Sequence, residues 1–179
     1  TLNIEGGEIS GNLVQTGNGG AIYVKKGGVV NMTGGKIRGN QVVTGNGGAI
    51  YVEAGGIVNL FGGTISGNTA SGLGGGIYVE AGGMVNVKGV PIVKDNTANG
   101  KPSNLYICAN SSSPLLTIDA EGLTTIADGD KRYLIASSQG DSTFPVWRID
   151  AGAPQYKGRF VVKDGVLMTP PAAASILQG

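Results

Sequence analysis

A block of about ten residues returns along the first hundred positions, and the chain must fold in a way that gives each copy the same surroundings. It reads N-I-E-G-G-E-I-S-G-N from Asn3, N-M-T-G-G-K-I-R-G-N from Asn31 and N-L-F-G-G-T-I-S-G-N from Asn59. A decayed copy with one extra residue, N-V-K-G-V-P-I-V-K-D-N, starts at Asn86. The spacings are 28, 28 and 27 residues. A second block, G-G-A-I-Y-V at Gly19 and Gly47 and G-G-G-I-Y-V at Gly74, continues as S-N-L-Y-I at Ser103. A third runs G-G-V-V-N, G-G-I-V-N and G-G-M-V-N at Gly27, Gly55 and Gly82, then P-L-L-T at Pro114. Fixed periods of this length mark repeat architectures, in which each unit buries its apolar face only against its neighbours.

Each repeat holds three short apolar runs separated by Gly or Asn corners. Within a run the apolar side chains alternate, as Ile22 and Val24 do around Tyr23, and a period of two means strand. Glycine pairs supply the positive-φ corners of a sharply turning chain. Three strands and three corners close a triangular coil. Stacking then buries Ile4, Met32, Leu60 and Val87 as one row, Ile9, Ile37, Ile65 and Ile92 as a second, and Ile22, Ile50, Ile77 and Leu105 as a third. Four coils at about 4.8 Å give a rod roughly 19 Å long, and the preference for right-handed parallel crossovers sets its hand. The expected fold is all-β: a right-handed, single-stranded parallel β-helix of about four coils of 27–28 residues, closed by an irregular C-terminal β cap.

Composition changes where the repeat fades. Of 34 glycines, 27 lie in residues 1–100, whereas six of the seven prolines follow residue 100. We place the repeats at 1–123, the cap at 124–169 and a linker or tail at 170–179. Strands are expected at Arg132–Ala136, Val146–Ile149, Arg159–Val162 and Val166–Met168, with Trp147 as a buried anchor of the cap, because an uncovered last coil exposes unpaired edges. The chain starts inside a repeat, so it reads as a fragment, with upstream repeats of a parent protein as its neighbours.

Two recurring polar positions stand out. Asn12, Asn40, Asn68 and Asn96 fall at one corner, where stacked amides bond from coil to coil as a structural ladder. Tyr23, Tyr51, Tyr78 and Tyr106 recur on the outward side of the I-Y-V strand. In register they form an aromatic stripe, a ladder that stabilises neighbouring strands or a surface on which sugars pack.

Catalytic chemistry finds little support. There is no histidine, which removes the usual general base and the commonest metal ligand. Glu53 and Glu80 occupy equivalent positions on adjacent coils, about one strand spacing apart, a weak cation site on one reading and, on the one preferred here, a solvated face with mild repulsion partly offset by Lys25. Cys108, the single cysteine, follows the fourth I-Y-V-like strand as a spectator thiol and excludes an internal disulfide. Thr16 and Thr44 begin an outward threonine row that fails in the third coil. Neither a metal nor a cofactor is expected. Thirteen basic residues against twelve acidic ones give no basic stripe for nucleic acid. No apolar run approaches the roughly 20 residues that span a membrane, so direct membrane insertion is not expected either.

The repeats G-G-x-I-S-G-N and G-G-A/G-I-Y-V resemble the right-handed β-helix repeats of large bacterial surface proteins. They are also similar to the G-G-A-I and F-x-x-N motifs of chlamydial polymorphic outer-membrane autotransporters. Gly19-Gly20-Ala21-Ile22 and Gly47-Gly48-Ala49-Ile50 match the first motif. Ile9-Ser10-Gly11-Asn12 and its copies fill the second without its aromatic, which favours the broader surface group over the chlamydial one. The resemblance covers residues 1 to about 123. It implies a pectate-lyase-like fold and an extracellular or cell-surface module, a non-enzymatic adhesin or structural spacer meeting host or matrix glycans or proteins. The alternatives are a carbohydrate-binding or polysaccharide-degrading module and a self-assembling one.

Overall fold

The computed structural model describes residues 1–87 and 91–108 in full, and beyond them the backbone of five further strands. Every regular element among the described residues is a β-strand. The first coil consists of β1 (Leu2–Ile4), β2 (Glu8–Ser10), β3 (Leu13–Val14) and β4 (Ile22–Val24). The second repeats it as β5 (Val29–Met32), β6 (Lys36–Arg38), β7 (Gln41–Val42) and β8 (Ile50–Val52). The third is β9 (Ile57–Leu60), β10 (Thr64–Ser66), β11 (Thr69–Ala70) and β12 (Ile77–Val79). The fourth runs through β13 (Met84–Val87), β14 (Ile92–Lys94), β15 (Thr97–Ala98), β16 (Lys101–Pro102) and β17 (Leu105–Cys108).

Equivalent strands of successive coils pair in parallel and build four sheets, a parallel β-solenoid of about four turns. The first three coils therefore carry four strands each, rather than the three expected, and the fourth adds a fifth, β16. The strand added in every coil, β3 and its successors, has two residues just after the asparagine corner, too few for an alternation to show. Its inward members Val42, Ala70 and Ala98 are buried all the same.

The core is the stack of inward rows. Ile4, Met32, Leu60 and Val87 lie in one register, and Ile22, Ile50, Ile77 and Leu105 in another. The second expected row is corrected at its end. Ile37 and Ile65 stack, but Val93 and not Ile92 lies opposite Ile65. Val93 is fully buried while Ile92 is half-buried. The coil-to-coil step is 27 residues from Ile50 to Ile77 and returns to 28 from Ile65 to Val93. The third corner is one residue short, and the extra residue of the fourth repeat restores the count before β14. Each fully buried aliphatic side chain stabilises the stack by about 1.5–3 kcal/mol.

Corners stack as closely as strands. A Cβ on Gly48 would lie 2.2 Å from the Gly75 carbonyl oxygen and 2.6 Å from that of Thr69. Its neighbour Gly47 has φ +69°, the left-handed region. The G-G pair is therefore fixed by two separate needs, a turn and a close approach.

The asparagine corner forms a ladder. Asn12 donates through its backbone N–H and its side-chain amide to Asn40 Oδ1 at 3.1 and 2.8 Å. Asn40 does the same to Asn68 and Asn68 to Asn96. Each Nδ2 of Asn40, Asn68 and Asn96 also donates to an isoleucine carbonyl of the preceding coil. Asn40, Asn68 and Asn96 are buried, and the described residues contain no buried side-chain polar atom without a partner. A second ladder links the repeat-opening residues: Asn31 donates to Asn3, Asn59 to Asn31 and Asn86 to Asn59 at 2.7–2.9 Å.

Among the described residues the regular stack then narrows. The last strand of the corner sheet, β16, runs antiparallel to β15, and β14 ends its own sheet. Two sheets go on in parallel, one through β18 (Leu116–Ile118) and β20 (Trp147–Ile149), the other through β19 (Ala136–Gln139). A separate antiparallel pair joins β21 (Val161–Lys163) and β22 (Val166–Met168). The Trp147 side chain, most of the expected cap at 124–169 and the tail at 170–179 lie outside the described residues.

Candidate functional site: the tyrosine face

The strands β4, β8, β12 and β17 bring the four expected tyrosines into one column. Register pairs Tyr23 with Tyr51, Tyr51 with Tyr78 and Tyr78 with Tyr106. Ring centroids are 4.9, 5.0 and 5.4 Å apart, with interplanar angles of 25°, 9° and 6°. The strand spacing of about 4.8 Å is what sets this separation, because the rings leave the same side of successive strands.

Stacking closes the column. Tyr23 is 41% exposed, but Tyr51 is 5% and Tyr106 6% exposed. Both faces of Tyr51 and Tyr78 are covered by neighbouring rings, so a ligand reaches these two by their edges, not by the faces on which a sugar packs.

The hydroxyls are engaged as well. Tyr23 donates to Glu53 Oε1 at 2.7 Å, and Tyr51 donates to Glu80 Oε1. The second oxygen of each carboxylate accepts a backbone N–H from the turn of the preceding coil, Lys26 to Glu53 at 3.0 Å and Ala54 to Glu80 at 3.1 Å. Each glutamate thus ties a tyrosine and a turn of one coil to the next. In the third step Cys108 stands where the two glutamates stood, and the Tyr78 hydroxyl lies 2.9 Å from its Sγ. Glu53 and Glu80, expected as a solvated face, each accept two hydrogen bonds, and Cys108, expected as a spectator thiol, is hydrogen-bonded to Tyr78.

These contacts move the titrations. Donation to Glu53 pushes the Tyr23 phenol up to about 12. Burial, then donation to Glu80, raises Tyr51. Burial, then the contact with Cys108, raises Tyr78. The Tyr23 hydroxyl and the Lys26 N–H hold the Glu53 carboxyl below its ordinary value.

Residue spacing hid these rungs. Tyr23 and Glu53 are 30 positions apart, two more than the coil period, so aligning the repeats sets Glu53 beneath Lys25. The extra two residues keep the partner on the same side of a strand. Asn104 was missed too: its Oδ1 accepts from the Asn96 backbone and side chain at 3.0 Å, only eight residues away.

Among the described residues no group of three or more His, Cys, Asp or Glu side chains is placed to hold a metal ion. No helix there is long and apolar enough to cross a membrane.

The Chlamydia polymorphic membrane protein repeat matches the chain at residues 6–25, 36–53 and 62–80. Each match spans three of the four sheets within one coil and ends on or just after the tyrosine strand, and it occurs without the aromatic of the F-x-x-N motif. A second family, phytase, matches residues 86–171. Neither the curated proteins nor the solved structures contain a match to this chain. Repeats of the chlamydial type on a four-turn parallel β-solenoid fit a β-helix repeat protein of bacterial surfaces.

Proposed function

We propose that, as part of a bacterial surface or outer-membrane β-helix protein, this chain is a rigid, non-enzymatic adhesive module whose outside contacts glycans or proteins of a host or matrix. One observation carries the reading: the side chains that build the rod repeat, the outward tyrosines among them, whereas those on the outer side of the β2 sheet do not. The inward rows and the three ladders return coil after coil. On the outer side of the β2 sheet, Glu8, Lys36 and Thr64 share one register position, and Ser10, Arg38 and Ser66 another. A scaffold that holds its interior constant while its surface changes from acid to base to neutral is suited to presenting a composite surface. Ladders stiffen that scaffold, because each buried amide gives up its bonds only if two coils separate.

Beads coated with the 179-residue chain test this on cultured host cells and on glycan and matrix-protein arrays. The reading expects attachment above that of beads carrying an unrelated β-solenoid, competed by soluble chain. Equal attachment of both kinds of bead would overturn it. Signal confined to glycans, lost in a Tyr23→Ala variant, would favour the carbohydrate-binding alternative.

The phytase match supports a second reading, in which residues 86–171 belong to a unit acting on phosphate esters. Release of inorganic phosphate from phytate by the purified chain would support it, and none across pH and added divalent cations would remove it.

A further inference from the structure

We propose that Asn99 is a self-modification site: its side-chain amide is lost to attack by the Gly100 backbone nitrogen, and the isoaspartate that forms unseats the end of the asparagine ladder. The inference is independent of the adhesive reading. An asparagine followed by glycine is prone to this cyclisation, because glycine sets no side chain in the path of the attacking nitrogen. The chain has three such pairs, Asn18-Gly19, Asn46-Gly47 and Asn99-Gly100. Two of them are locked by the next coil. Asn18 Oδ1 accepts the Asn46 N–H at 2.8 Å, and the Gly19 N–H donates to the Asn46 carbonyl at 3.0 Å. Asn46 Oδ1 accepts the Leu73 N–H at 2.7 Å, and the Gly47 N–H donates to the Leu73 carbonyl at 3.0 Å. Both the amide that must rotate and the nitrogen that must attack are held. The third pair is held at neither. Asn99 and Gly100 form the two-residue tip between β15 and β16, with φ +48° and +69°, a turn that Asn-Gly favours. Both residues are exposed, and a Cβ on Gly100 would meet open space. Among the described residues neither the Asn99 side chain nor the Gly100 N–H has a hydrogen-bond partner. The Asn99 N–H donates to the Ala70 carbonyl at 2.9 Å, a bond that the reaction leaves alone.

Water is the only co-reactant. The Gly100 nitrogen gives up its proton and bonds to Asn99 Cγ. The Cγ–Nδ2 bond breaks, and ammonia leaves with that proton. Water then opens the five-membered imide on one of two sides. Cleavage of the new bond restores the backbone with aspartate at position 99. Cleavage of the original peptide bond leaves isoaspartate, with the backbone running through the former side chain. Either way one water is consumed, one ammonia is released and one negative charge is gained. Isoaspartate also adds one backbone atom to the tip. The tip lies within the eight-residue return that places Asn104 Oδ1 3.0 Å from both donors of Asn96 and the Ser103 N–H 2.8 Å from the Asn96 carbonyl. A lengthened return no longer seats Asn104 there, and the ladder opens from this end.

The test incubates the full chain in mildly alkaline buffer, folded and in urea, and follows the three pairs by peptide mapping with mass spectrometry. In urea all three should convert at similar rates. In the folded chain Asn99 should convert to a mixture of aspartate and isoaspartate while Asn18 and Asn46 stay intact. The isoaspartate form, separated by ion exchange, should then show faster hydrogen exchange at the Asn96 and Ser103 amides, with the Asn40 and Asn68 amides unchanged. Asn99→Asp carries the charge without the extra backbone atom and should exchange as the unmodified chain does. Conversion of Asn18 or Asn46 as fast as Asn99 in the folded chain, or an Asn99 that stays intact there, would overturn the proposal. So would unchanged Asn96 exchange in the isoaspartate form, or exchange equally fast in Asn99→Asp.

Discussion

Asn96 donates both its backbone N–H and its side-chain amide to Asn104, although the two stand only eight residues apart. In every earlier coil the same acceptor comes from an asparagine 28 residues on. The return of the chain through β16 thus substitutes a local residue for a missing rung and ends the ladder with its donors satisfied.

Asn104→Ala should therefore leave two buried donors on Asn96 without their acceptor. A loss of about 2–3 kcal/mol is expected from the desolvation of unpaired buried groups. Asn3→Ala, at an exposed position of the second ladder, should cost no more than about 0.5 kcal/mol. Urea titrations of the two variants make the comparison.

The corrected register predicts an inversion of the sequence expectation. Val93→Ala empties a fully buried position and should cost about 2 kcal/mol, whereas Ile92→Ala, half-buried, should cost about 1 kcal/mol despite the larger side chain removed. The reverse order would restore Ile92 to the core row.

The two glycine environments separate packing from backbone strain. Gly48→Ala sets a methyl group against the carbonyls of Gly75 and Thr69 and should cost more than about 3 kcal/mol or abolish folding. Gly39 has φ +61° and open space around a built Cβ, so Gly39→Ala should cost about 1–2 kcal/mol from the left-handed backbone alone.

Alkaline pH should loosen the first rung. The folded state holds the Tyr23 proton to about 12 against 10.0 for a free phenol, so the folded chain binds more protons there than the unfolded chain between those values. Stability from this rung is complete below pH 10 and falls as pH rises through the folded pKa. Glu53 acts with the opposite sign: its lowered pKa gives stability that is present above the ordinary carboxyl range and lost as pH falls through the folded pKa. Glu53→Gln should move the Tyr23 titration back toward its ordinary value, read by tyrosinate absorbance, and flatten both limbs.

Much of this architecture was readable because the repeat enforces it. Ile4, Met32, Leu60 and Val87 share a row for the same reason that Asn12, Asn40, Asn68 and Asn96 do: equal spacing puts equal side chains at equal heights. The tyrosine column followed from that rule too. What escaped were relations that break the period. Val93 replaces Ile92 because a short corner and an inserted residue offset one another. The rung from Tyr23 to Glu53 joins positions that repeat alignment keeps apart. Asn104 belongs to no repeat of the ladder, and β3 and its successors are too short for any alternation.

In-register stacking of equivalent segments is the claim on which the rest stands. Scalar coupling across hydrogen bonds, measured by NMR between the side-chain amide nitrogen of one ladder asparagine and the Cγ of the next, tests it most directly. The structure predicts connectivities from Asn12 to Asn40, Asn40 to Asn68, Asn68 to Asn96, and then from Asn96 to Asn104. Connectivities in any other order, or none between residues 28 apart in a folded chain, would contradict it.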